Sequence, residues 1–370
     1  MLRVLQVIGK MDRAGAETML MNIYRHVDRS KVQFDFMVFT DEEGDYDQEI
    51  KSLGGKIYHM PAFKGYNYFN LKKRFKLFFS KHSYEIVHGH IGSLAPAYLK
   101  VAKEEGAYTV AHSHATNSTR LLERIIFEIF AHKVRYIGNY FFACSKQAGV
   151  DRFGKEVVSS NRFQVINNAI DCEKYRYDKE KHEQLKKQFG FEERTILGHV
   201  GRFSPEKNHR FIIEVLKKMC DVDDKILLVL VGRGPEEEMV KQLVYQNNLE
   251  KYVKFLGVRD DVPDLMNMFD AFIFPSTYEG LGIVGIEAQA AGLPCFFSDA
   301  IPEEAIITPD VTCIPLSKSS DEWARIIEGK IQKYQRKDNY SYIMDANYDI
   351  KQVAKNIEEF YLEKRKEMHV

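Results

Sequence analysis

The sequence has no surplus of charge of either sign: lysine plus arginine and aspartate plus glutamate each number 53 in 370 residues. No global field argues for nucleic acid as a partner, and any basic patch must be local. Five cysteines, Cys144, Cys172, Cys220, Cys295 and Cys313, include no C-x-x-C pair. Such scatter offers neither a disulfide framework nor a zinc site and fits reduced thiols in the cytosol. No stretch approaches 18 apolar residues, and the first residues, through Ile8, lack a basic region followed by a long apolar one. The expectation is a soluble, cytoplasmic protein. No internal repeat or low-complexity tract breaks the chain.

Two chemical signatures are missing as well. The first apolar run leads into Gly9-Lys-Met-Asp-Arg-Ala-Gly15, which is not G-x-G-x-x-G, so hydride transfer with a dinucleotide loses its main support. Gly15 could ease a turn or allow a diphosphate to approach the backbone. No H-E-x-x-H occurs either.

What is present is alternation. Short β-type runs at 4–8, 34–39, 57–60, 86–88 and 108–111 are interleaved with helical patterns such as 17–26 and 69–79. The pattern pauses over a charged stretch poor in strand formers, then resumes with runs at 195–200, 226–231, 253–256, 271–274 and 294–297. Alternation of this kind implies βαβ units and parallel sheets. A chain of 370 residues suits two domains. The reading is therefore α/β, with two doubly wound domains: 1–170, a linker at 171–193, and 194–345. A final helix at 346–370 carries Val353, Ile357, Phe360 and Tyr361 on one face. Ligands of open parallel sheets bind beyond the carboxyl ends of strands, so functional residues should follow strands in a cleft between the domains.

The most informative stretch is Ser276-Thr-Tyr-Glu-Gly-Leu-Gly-Ile-Val-Gly-Ile-Glu-Ala-Gln-Ala-Ala-Gly-Leu-Pro294. An apolar run ends at Pro275, a glycine loop follows, and a helical segment runs from about Ile283 to Ala291. Backbone N–H groups at such a helix start favour a phosphate. Glu279 and Glu287 cannot be meant for the phosphate and should accept hydrogen bonds from hydroxyls of a sugar or ribose. The plainer alternative is a solvated loop glutamate and a dipole-complementing one. After the run at 195–200 come Arg202 and Lys207, placed to hold a diphosphate.

Histidines form two H-x-H pairs, His88 with His90 and His112 with His114, each at a strand end. Period-two spacing aims both members at one face, as metal chelation would require. A metal-dependent hydrolase is one reading. The other is a cleft that gathers polar strand-end residues without metal, and it is favoured because no further ligand cluster accompanies the pairs. Residues 70–81 are basic, with aromatic and leucine positions at helical spacing. They could meet anionic lipid headgroups, or simply turn lysines to water from an amphipathic helix.

Taken together, Ala14-Gly-Ala-Glu17, Val200-Gly-Arg-Phe-Ser-Pro-Glu-Lys-Asn208, Val231-Gly-Arg-Gly-Pro235, Phe255-Leu-Gly257 and the 275–294 stretch resemble the retaining glycosyltransferases of family 4, also called glycosyl transferases group 1. The likeness runs in order along nearly the whole chain. It implies a GT-B architecture, two Rossmann-like domains facing a deep interdomain cleft, with the terminal helix crossing back to the first domain. It implies that a nucleotide-diphosphate sugar, a UDP-sugar by expectation, gives its sugar to a saccharide or lipid-linked saccharide in surface polysaccharide synthesis, with no metal or other cofactor. In such an enzyme Glu287 would bind the ribose and Glu279 the transferred sugar. Arg202 and Lys207 would neutralise the diphosphate. Backbone at Gly280, Leu281, Gly282, Ile283 and Val284 would contact the phosphates, Gly15 would approach them, and Gly257 and Val258 would flank the base. His114 would be the active-site histidine, with His112 the competing choice of register, and His90, His112 and His114 would form the acceptor side. A catalytically silent binding subunit is a further alternative, against which intact Arg202, Lys207, Glu279 and Glu287 argue.

Overall fold

The computed structural model describes residues 1–92, 94–114 and 133–369. They divide into two compact units, Met1–Ala169 with Asp349–Val370, and Ile170–Tyr348. The first unit contains β1 (Leu2–Val7), β2 (Val32–Val38), β3 (Ile57–His59), β4 (Ile86–Gly89), β5 (Tyr108–Ser113), β6 (Tyr140–Ala143) and β7 (Phe163–Val165). These form one parallel sheet in the order β3-β2-β1-β4-β5-β6-β7. The second unit contains β8 (Thr195–Val200), β9 (Ile226–Val231), β10 (Val253–Phe255), β11 (Ala271–Phe274), β12 (Cys295–Ser298) and β13 (Val311–Ile314). Its parallel sheet runs β10-β9-β8-β11-β12-β13.

Helices cover both faces of such sheets, so their strands must be apolar on both sides. Accordingly β2 and β9 are buried at every residue. In both sheets the chain builds outward from the first strand, then jumps back to its other side, at β1/β4 and at β8/β11. Loops leave these neighbouring strands in opposite directions, which opens a crevice at the strands' carboxyl ends. Most of the candidate site residues cluster at these two places.

The helix Ile350–Met368 returns to the first unit and buries Val353, Ile357, Phe360 and Tyr361. It packs against the helix Gly15–His26. Phe360 meets Phe142 at a ring-centroid distance of 5.0 Å, and Glu358 accepts the Asp28 N–H at 2.8 Å. The segment 171–193, whose charge suggested a linker, is instead helical at Cys172–Tyr175 and Lys179–Phe189. Its charges lie on an outer face, while Cys172, Tyr175 and Phe191 join the core of the second unit, with Leu185 and Phe189 packed against it.

Candidate active site

In the second unit, three links tie the loop after β8 to the loop after β11. The Thr277 N–H donates to the Glu206 carbonyl at 2.8 Å. Asn208, left-handed at φ 57°, stands at the N-cap position of the helix His209–Cys220, and its side-chain amide donates to the Pro275 carbonyl at 3.1 Å. The Lys207 ammonium donates to Glu279 Oε1 at 2.5 Å and stands 5.2 Å from the Phe274 ring centroid. Lys207 and Glu279 side chains keep only 16% and 9% of their exposure, so their attraction is screened little by water. Arg202 is exposed on the same loop.

Gly282, at φ 78°, ends the loop and begins the helix Ile283–Ala290. A Cβ there would stand 2.9 Å from the Phe274 ring, so backbone conformation and space both demand glycine. The first N–H groups of the helix, at Ile283 and Val284, have no intrahelical acceptor by position, and both residues are partly exposed. None of the described residues lies within 4 Å of where a Gly280 Cβ would be, so its backbone is open to a ligand, while Leu281 beside it is partly buried.

Glu287, on this helix, is partly buried. Burial pushes its carboxyl up to about 7, against the lowering effect of a hydrogen bond from Tyr175. Tyr175 is itself buried, on the short helix Cys172–Tyr175. Sequence reasoning missed this partner, because the only signal was an aromatic inside a charged segment. It also missed His199, buried on β8, whose Nδ1 donates to the Ile273 carbonyl at 2.9 Å.

A third loop completes this end of the sheet. The Gly232 N–H donates to the Gly257 carbonyl at 2.8 Å. A Cβ on Gly232, at φ 130°, would fall 2.0 Å from the Gly201 carbonyl oxygen, so the loops after β8 and β9 touch backbone to backbone. Beyond Gly257 the Val258 side chain is 63% exposed.

In the first unit, β4 and β5 bring all four strand-end histidines together. His88 and His112 are buried, and His90 and His114 partly so. Ring centroids lie 4.4 Å apart for His88 and His90, 4.1 Å for His112 and His114, and 5.0 Å for His90 and His114. Burial holds His88 down to about 3, His114 to about 4, and His90 and His112 well below the ordinary histidine range, so all four rings are neutral at pH 7. His90, His112 and His114, with Arg152, line a cavity of about 150 Å³.

One nitrogen from each of His88, His90 and His112 lies within 4.8 Å of the others. Tetrahedral zinc would require nitrogens about 3.3 Å apart, given bonds of about 2.0–2.1 Å. Both His90 nitrogens are already hydrogen-bonded, to His114 at 2.7 Å and to Gln6 at 2.9 Å. His90 is thus joined to Gln6 and His114 in a hydrogen-bond chain, whereas among the described residues neither nitrogen of buried His112, nor His88 Nε2, has a hydrogen-bond partner. In the first unit Gly15 opens its helix, with none of the described residues within 4 Å of a would-be Cβ.

Comparison with known proteins gives a consistent result. Residues 180–342 match the family described as Glycosyl transferases group 1, and residues 13–174 match Glycosyltransferase Family 4. A Bacillus subtilis (strain 168) protein named as the glycosyltransferase EpsF is 34% identical over 332 residues, covering 88% of this chain and 86% of the relative. An Escherichia coli UDP-Gal:alpha-D-GlcNAc-diphosphoundecaprenol alpha-1,3-galactosyltransferase is 30% identical over 237 residues, 59% of each chain. The crystal structure of Anabaena HepE in complex with UDP shares the fold at a TM-score of 0.78 and 20% identity, covering 98% of this chain and 100% of that one. The two sheets are thus those of a GT-B fold.

Proposed function

The chain belongs to the family 4 glycosyltransferases, the glycosyl transferases group 1, and on that premise we propose that it moves a sugar, with retention of configuration, from a UDP-sugar to a saccharide or lipid-linked saccharide of a surface polysaccharide. One observation carries this reading: Lys207 is held against Glu279 beside the open helix start at Ile283 and Val284, with Glu287 one turn further on. A cation, free N–H groups and two carboxylates at one strand end suit a diphosphate with hydroxyl-bearing rings at both ends.

In this mechanism Lys207 and Arg202 stabilise charge on the diphosphate as the glycosidic bond breaks. Glu279 accepts a hydrogen bond from the transferred sugar and Glu287 from the ribose. Gly257 and Val258 flank the base. The acceptor hydroxyl attacks from the face the diphosphate leaves, and the leaving phosphate takes its proton. Neither glutamate acts as a nucleophile, so the two-carboxylate scheme of glycosidases does not apply. The first unit, through His90, His112 and His114, serves the acceptor side. The E. coli relative, named for UDP-Gal and a diphosphoundecaprenol-linked acceptor, supports donor and acceptor class. HepE, crystallised with UDP, supports the donor base.

The helix Tyr68–Lys81 supports peripheral attachment to the inner face of a membrane. It buries Leu71, Phe75, Phe78 and Phe79, yet leaves Phe69 77% and Leu77 56% exposed beside Lys73, Lys76 and Lys81. Exposed apolar groups among lysines suit an anionic lipid surface. No helix among the described residues is long and apolar enough to cross a membrane.

The deciding experiment measures protection from thermal unfolding by a panel of UDP-, GDP- and dTDP-sugars, followed by transfer from the best binder to a lipid-diphosphate saccharide. Binding only to the native state raises the melting temperature with affinity. Selective protection by a UDP-sugar, and an NMR-assigned product anomer matching the donor's, are expected. An inverted product would remove the mechanism, and no protection by any nucleotide sugar would remove the donor class.

A further inference from the structure

We propose that Tyr361 and Gln6, acting through His90, are positioning residues that fix the tautomer of His114, leaving its Nδ1 a bare acceptor for a substrate hydroxyl. The inference rests on the reading of His114 as a substrate-facing residue.

Side chains from different elements of the first unit form one chain of contacts. The Tyr361 hydroxyl lies 2.5 Å from His88 Nδ1. Gln6 Nε2 lies 3.3 Å from the same hydroxyl oxygen, Gln6 Oε1 lies 2.9 Å from His90 Nε2, and His90 Nδ1 lies 2.7 Å from His114 Nε2. Gln6 and Tyr361 are buried to 0% and 1% exposure, so no bulk solvent offers alternative partners.

A neutral imidazole has one N–H and one lone pair, so each bond dictates the next. A phenol is a stronger acid than a neutral imidazole, and the short O···N separation fits Tyr361 donating to His88 Nδ1. Its oxygen then accepts from the Gln6 amide nitrogen, which turns Gln6 Oε1 toward His90. His90 must carry its proton on Nε2, its Nδ1 must accept, and His114 must donate from Nε2. What remains on His114 is the Nδ1 lone pair.

Reversing the Gln6 amide would reverse every donor downstream and turn His114 Nδ1 into a donor. The Tyr361–His88 contact, supplied by the last helix of the chain, is what selects between the two states. A hydroxyl can donate to a bare nitrogen. A carboxylate there would set lone pair against lone pair, so the site takes a hydroxyl-bearing sugar and rejects an acidic one.

The test uses the full-length protein labelled with 15N-histidine and long-range 1H–15N correlation, which distinguishes Nε2–H from Nδ1–H. His114→Gln and His90→Gln spectra assign the signals. Nε2–H is expected for both rings in the unaltered protein. Gln6→Leu, and the milder Tyr361→Phe in case the first does not fold, should each give mixed His114 tautomers and lower kcat/KM roughly tenfold, the worth of about one hydrogen bond. Nδ1–H on His114 in the unaltered protein, or an unmoved spectrum in both variants, would overturn the proposal. Tautomers as expected, with transfer insensitive to both variants and to His114→Ala, would overturn the substrate role and locate the failure in the reading of His114.

Discussion

Lys207 and Glu279, 72 positions apart in the chain, meet at 2.5 Å over the face of Phe274. The pair orients both groups before any ligand arrives, so each depends on the other. Lys207→Ala should lower kcat roughly 10²–10³-fold, the scale of losing one charge-stabilising group. Glu279→Ala should also abolish most transfer. The fold should survive both, as circular dichroism would report. The double variant should lose less than the two single losses multiplied, because the groups act as a unit. Fully multiplicative losses would mean that the two groups act independently and not as a unit.

With Glu287 as the proposed ribose ligand, nucleotide binding should depend on pH. Its pKa of about 7 lies above the ordinary value of 4.5 because burial disfavours the charged form. A ribose hydroxyl donating to the carboxylate favours that charged form, so binding near pH 7 should release about half a proton. Calorimetry of UDP binding in two buffers of different ionisation enthalpy measures the release. The sign for stability is opposite. With the folded pKa raised, the contribution is full below about 4.5 and is lost as pH rises through about 7. Glu287→Gln should therefore raise the melting temperature of the ligand-free protein at pH 8 while weakening UDP binding. A lowered melting temperature would refute the assignment of burial as the dominant cause.

Two glycines separate packing from function. Alanine at Gly232 would place Cβ 2.0 Å from the Gly201 carbonyl at a φ of 130°. The Gly201 N–H is held by the Val231 carbonyl at 2.9 Å and the Gly232 N–H by the Gly257 carbonyl at 2.8 Å, so neither loop can yield without straining a hydrogen bond. Gly232→Ala should cost about 3 kcal/mol or more, seen as loss of soluble protein or a melting temperature lower by many degrees. Alanine at Gly280 meets nothing within 4 Å. Gly280→Ala should leave melting unchanged and raise the KM for the sugar nucleotide, since the methyl meets none of the described residues and would face a ligand on this loop.

Legibility of the fold and the site in the amino-acid sequence depended on which contacts are local. Runs such as 226–231 declared themselves as strands because a doubly covered parallel sheet buries every residue of β9. The loops after β8 and β11 could be located for the same reason, since each begins where such a run ends. Pairings across long separations were not legible: Tyr361 with His88 spans 273 positions and Gln6 with Tyr361 spans 355. Segment 171–193 misled because its exposed charge hid an apolar side that packs on the second core, and with it went Tyr175, the partner of Glu287.

The helix Tyr68–Lys81 allows the membrane reading to be tested apart from catalysis. Its buried face already includes Leu71, Phe75, Phe78 and Phe79, so the exposed Phe69 and Leu77 are not needed to hold the unit together. Lys73, Lys76 and Lys81 are exposed as well. A basic residue near an anionic leaflet contributes about 1 kcal/mol, so reversing all three to glutamate should weaken binding to phosphatidylglycerol vesicles by roughly 100-fold or more. Binding should also fall with salt, because the charges act across a Debye length of about 10 Å at 0.1 M. Phe69→Ser with Leu77→Ser should weaken the salt-resistant remainder, and transfer to a water-soluble acceptor should be unchanged in every case. Equal vesicle binding by the unaltered and charge-reversed proteins would leave this helix as an ordinary amphipathic cover for the sheet, its lysines facing only water.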